Sequence, residues 1–158
     1  MESDRVKHLE LVQAVITRQA GNSFVIKGWS LTVSAAFLAF AADRGDPLVV
    51  TLAFLPIFGF AFLDAYFLRQ ERLFRELYKD AISASPAMRT FDMDTSGFQD
   101  PEAFPRSRWS SVLTSGQFVV FHGVIALVAY GLLLATLTPC LVEFIVNFRC
   151  EFGPPFGG

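Results

Sequence analysis

Residues 47–68 read PLVVTLAFLPIFGFAFLDAYFL, 22 residues whose only charge is Asp64. A bilayer core of about 30 Å needs roughly 20 mostly apolar helical residues. This stretch therefore points to a membrane span, and one more lies on each side of it in the sequence. Phe24 to Ala42 is apolar apart from Lys27 and a few hydroxyls, and in Phe118 to Leu137 the one ionisable residue is His122. The reading is an all-α membrane protein with three transmembrane helices, an N-terminal amphipathic helix and a cytoplasmic extension of the second span.

The composition agrees. Of 158 residues, 53% are hydrophobic and 18% charged, and 18 are phenylalanine; typical globular chains are about 25% charged. A disordered chain and a disulfide scaffold are excluded, and a soluble enzyme is disfavoured by apolar blocks too long for a small core. A net charge of −2 leaves no basic footprint for a nucleic-acid duplex.

The segments are a cytoplasmic amphipathic helix (1–22), transmembrane helix 1 (23–42), an outer loop (43–46), transmembrane helix 2 (47–68), a cytoplasmic helix and ordered connector (69–117), transmembrane helix 3 (118–138) and an outer tail (139–158). Whether residues 141–148 prolong the third span stays open. The first twenty residues carry Glu2, Asp4, Arg5, Lys7, Glu10 and Arg18, which is not the pattern of a signal peptide. Arg5, Lys7 and Arg18 lie on the same predicted side as Arg69, Arg72, Arg75, Lys79, Arg89, Arg106 and Arg108; Arg44 and Arg149 lie on the other. The positive-inside rule then places the N-terminus in the cytoplasm and the C-terminus outside.

On the cytoplasmic side, Val6, Leu9, Val12 and Ile16 recur at helical spacing and predict a helix ending at Gly21, with Asn22 or Ser23 capping the first span. Leu73, Leu77 and Ile82 give the extension of the second span an apolar stripe that can pack on that helix. Arg69, Arg72 and Arg75 read as a solvated face and topology signal, or as a ligand or gate site for an anion or phosphate. The connector from Ser85 to Trp109 holds Met88, Phe91, Met93, Phe98, Phe104 and Trp109, too many large apolar residues for a disordered linker. Asp92 and Asp94 resemble two calcium ligands, but no Gly and Glu follow to complete the loop.

Lys27, Asp64 and His122 carry the most information, because ionisable residues inside a membrane are costly. Each lies near the cytoplasmic end of its span, so all three are expected at one depth. Two readings stay open. In one, Lys27 snorkels to the headgroups or pairs with Asp64 to lock the hairpin, and His122 is a neutral hydrogen-bond partner. In the other, these residues with Ser30 and Ser34, which fall at i+3 and i+7 from Lys27, line a pathway formed by several subunits. Ala61 with Ala65 and Gly131 with Ala135 form small-xxx-small pairs suited to close helix approach.

No catalytic, nucleotide-binding or metal-ligand fingerprint occurs, so neither an enzyme, a cofactor nor a metal site is expected. Cys140 and Cys150 fall on the outer side in this topology and are a candidate disulfide.

GNSFVIKGWS at 21–30 and FLDAYFLRQERLFR at 62–75 resemble a family of small bacterial inner-membrane proteins. More loosely, the layout resembles the few-span membrane effectors of anti-phage abortive-infection systems. That resemblance implies a non-enzymatic, homo-oligomeric inner-membrane channel or membrane-disrupting effector, in contact with the lipid bilayer. Its cytoplasmic helices would act as gate or sensor for a nucleotide or protein trigger. The alternatives are a non-conducting anchor or accessory subunit, and a proton-coupled carrier using Asp64 and His122.

Overall fold

The computed structural model describes the backbone of residues 2–83 and 91–151 and the side chains of 3–83 and 91–139. The fold is all-α: α1 (Glu2–Arg44), α2 (Pro47–Leu52), α3 (Phe54–Ile82), α4 (Trp109–Leu113) and α5 (Gly116–Glu151), with short 3-10 turns at Ser96–Phe98 and Pro105–Ser107. Three helical segments are long and apolar enough to cross a bilayer, in α1, in α2 with α3, and in α5. Their outward faces carry large apolar side chains in the open, Phe24 at 79% exposure and Leu127 at 70% among them. Water would not tolerate such a surface on a monomer, but lipid does.

The expected break at Gly21 does not occur. α1 runs unbroken for 43 residues, roughly 65 Å at 1.5 Å per residue. A helix-interior glycine costs about 1 kcal/mol relative to alanine. Packing along α3 outweighs that, and Ser23 lies inside the helix rather than capping one.

α1 ends at Gly45, whose φ of +62° suits a residue without Cβ and whose N–H reaches the Ala41 carbonyl at 3.1 Å. Asp46 then caps α2 by accepting the Leu48 N–H at 2.8 Å, with Pro47 in the first turn. The second span is not one helix but two. Ala53 is a turn residue between α2 and α3. Pro56 explains it, since its ring crowds the Leu52 carbonyl and supplies no N–H to it.

Proline does not stop α5, which runs on past Pro139 to Glu151. Pro139 leaves the Ala135 carbonyl without its helical donor. The Thr138 hydroxyl donates to that carbonyl instead, at 3.2 Å. Residues 139–151 therefore continue the third helix rather than begin a separate tail. The side chains of Cys140 and Cys150, and with them the candidate disulfide, lie outside the described residues.

On the membrane's other side, α1 and α3 run together past the apolar section. Val12, Ile16 and Leu77 are buried against each other, with Phe74, Tyr78, Met93 and Phe98 around them. Arg5 donates to the Ala81 and Ile82 carbonyls at 3.3 and 2.6 Å, capping the C-terminal end of α3 with a cation. His8, fully buried, accepts the Phe91 N–H at its Nδ1 at 2.9 Å. The connector is ordered from Phe91 onward; Met88 and Arg89 lie outside the described residues. Asp92 and Asp94 do not converge on a metal site. Asp92 accepts the Asp94 N–H, and Asp94 accepts the Ser96 N–H and hydroxyl. Those bonds from Ser96 hold the Asp94 carboxyl below its ordinary pKa. No group of metal-ligating side chains occurs among the described residues.

Candidate functional site in the membrane section

Asp64 on α3 is fully buried and gathers partners from the other two spanning helices. Its Oδ1 accepts from Lys27 Nζ at 2.6 Å and from the Ser23 hydroxyl at 2.5 Å, both on α1. Lys27 Nζ also donates to Ser23 Oγ at 2.8 Å. Asp64 Oδ2 meets His122 Nε2 of α5 at 3.0 Å. The structure thus brings Lys27, Asp64 and His122 to one point. Lys27 does not snorkel: it is only 8% exposed and is bound inward.

Sequence spacing alone missed Ser23, read above as a helix cap. Its signal was available, because Ser23, Lys27, Ser30 and Ser34 follow one face at i, i+4, i+7 and i+11 once α1 is continuous.

The protonation pattern follows from the donors. An ionised Asp64 has only lone pairs, so His122 Nε2 carries the hydrogen between them. Lys27 balances the Asp64 charge at 2.6 Å. His122 is wedged between Phe118 and Phe121, ring centroids 4.7 and 5.0 Å away. Its Nδ1 is buried without a partner.

Ser30 and Ser34 continue from the cluster along α1 toward the hairpin loop. They are 0% and 1% exposed, so they face the chain's own interior rather than a surface from which several subunits would build a lumen. The hydroxyl oxygens of both have no hydrogen-bond partner in the protein. Beyond them the interior becomes apolar: Ile57, Ile125 and Ala129 form a buried cluster, flanked by Leu38, Phe54 and Phe121.

The arginines of α3 serve a different purpose from the membrane cluster. Arg69 Nε donates to the Ser107 carbonyl at 3.0 Å, and its guanidinium lies over the Trp109 ring at 5.1 Å. Arg72 donates to the Arg106 carbonyl at 2.9 Å and to Ser111 Oγ at 3.2 Å. Arg75 pairs with Glu71 at 2.7 Å on its own helix. Arg69 and Arg72 thus clamp the connector to α3, while Arg72 and Arg75 also line a cavity at that level. Burial lowers the Arg72 pKa; the Glu71 charge opposes this and the Arg106 charge adds to it.

No protein-family profile matches this chain, and neither a curated protein nor a solved structure is significantly similar to it.

Proposed function

We propose that the chain is the subunit of a homo-oligomeric inner-membrane channel or membrane-disrupting effector, with conduction following the polar interior between α1, α3 and α5. One observation carries the reading. Ser30 Oγ, Ser34 Oγ and His122 Nδ1 are buried beside a charge cluster in the apolar section, and no protein group satisfies them. A hairpin lock needs Lys27 and Asp64 alone. Two further hydroxyls left without partners cost about 1–3 kcal/mol each, which a purely structural face would avoid with alanine. A path that takes up water or ions on opening makes use of them. The cluster of Ile57, Ile125 and Ala129 then acts as the apolar constriction that keeps the resting path dry. Gly131 and Ala135 are exposed on α5, and Gly131 has open space where a Cβ would stand; this face suits close approach by a second copy. The N-terminus is assigned to the cytoplasm on the Lys and Arg distribution. The anti-phage setting rests on the resemblance of layout.

The competing reading is a non-conducting anchor. It is favoured by the closure of Lys27, Asp64 and His122 on one another within a single chain. Ser30→Ala with Ser34→Ala separates the two. The double variant should raise the melting temperature by a few degrees, because two unsatisfied hydroxyls are gone. It should also lower ion flux in proteoliposomes several-fold. Unchanged flux, or wild-type protein that passes no ions with or without cell extract, favours the anchor.

A further inference from the structure

At the cytoplasmic edge of the spans, α1, α3, the Pro105–Ser107 turn and the corner between α4 and α5 line an open cavity of about 760 Å3. Leu68, the last residue of the second apolar stretch, and Ser115, just before α5, both line it. The cavity therefore sits at the level where the apolar section gives way to water. Its charges do not cancel. Glu71 is paired with Arg75 and Glu76 with Lys79, each at 2.7 Å. Arg72 and Arg106 also line the cavity, and neither has a carboxylate within ion-pair distance among the described residues. Two guanidinium charges remain on a wall that also offers the hydroxyls of Ser111 and Tyr78.

Burial acts against the charged form of Arg72, and the nearby Arg106 charge adds to this while the Glu71 charge opposes it. Arg72 is nevertheless held in place through its bonds to the Arg106 carbonyl and Ser111, so its fork is preorganised. Planar guanidinium groups beside hydroxyl donors match the oxygens of a phosphate.

We propose that this cavity binds a phosphate-bearing anion, taken either from an anionic lipid headgroup or from a soluble phosphorylated compound. Arg72 and Arg106 would hold its oxygens. Binding would tighten the connector on α3 two turns from Asp64. That last consequence rests on the conduction reading, whereas binding itself does not.

The test uses the full chain in detergent micelles, with no flux measured, so that it fails or succeeds independently of conduction. Thermal unfolding is followed against dihexanoyl phosphatidylglycerol, with dihexanoyl phosphatidylcholine as the zwitterionic control. A second titration uses inorganic pyrophosphate, with chloride at equal ionic strength as its control. Saturable stabilisation in one arm supports the site and identifies the source. Arg106→Gln removes an exposed side chain that has no ion-pair partner among the described residues, so the fold survives. It should weaken the apparent affinity roughly tenfold or more. Arg72→Gln should do the same while loosening the connector. No stabilisation above the controls in either arm overturns the proposal. So does undiminished affinity in Arg106→Gln.

Discussion

Asp64 shows how much one side chain can organise. Buried alone in an apolar section, a carboxylate would be neutralised or expelled. Here Ser23, Lys27 and His122 share its two oxygens, so all three spanning helices meet at one residue. Removing one partner of such a pair leaves the other charge stranded, at a cost of about 3–5 kcal/mol. Lys27→Met alone and Asp64→Asn alone should each reduce the yield of monodisperse protein in detergent and lower its melting temperature. The double substitution should recover part of the loss, because it removes both charges together. Strictly additive losses would show that the ion pair is not what holds the hairpin. Ser23→Ala is the milder probe: Asp64 keeps Lys27 and His122, so its cost should be nearer 1 kcal/mol.

At the scale of elements, the connector is held by arginines rather than by a core of its own. Arg69 combines a carbonyl bond with a cation–π contact to Trp109, which stacks in turn on Phe62 at 6.2 Å. The contact contributes about 0.5–1 kcal/mol where exposed, and the bond a similar amount. Arg69→Ala should therefore raise the open population of the connector roughly tenfold. Trypsin cleavage after Arg106 or Arg108 should accelerate accordingly, with little change in global melting. An unchanged cleavage rate would mean that Arg72 and His8 suffice to dock this segment. The apolar runs made the three spans legible, because nothing but lipid or a large core explains blocks of that length. The common depth of Lys27, Asp64 and His122 was legible from their distances to the span ends. The course of α1 through Gly21 was not, since a glycine signal of about 1 kcal/mol is read locally while the packing on α3 that overrides it is not. Nor was the role of Arg69 and Arg72. Each bonds a backbone carbonyl more than thirty residues away, and a carbonyl leaves no mark in a sequence.

The whole molecule is longer than a bilayer is thick, and the position of the charge cluster decides how it sits. From Lys27 to Arg44 is about 26 Å of helix, nearly the full hydrocarbon depth. The cluster therefore lies near one edge of the membrane and the loop of Gly45 near the other. On the cluster's side, α1 extends a further 25 residues and α3 a further 18, which places the docked connector outside the lipid on that face. α5 begins there and runs from His122 to Glu151, about 44 Å. It must cross the membrane and project beyond it, or tilt to stay within. Either way its end lies on the face opposite the connector. The proposed orientation, on the positive-inside rule, makes that face the cytoplasmic one. Reporter fusions at Gly45 and after Gly158 should accordingly both report the outer side, and a fusion ahead of Met1 the inner side. A reporter after Gly158 that reads the inner side would make α5 re-entrant. His122 would then approach Asp64 from a helix that never crosses the membrane, and a path between α1, α3 and α5 would have no outer half.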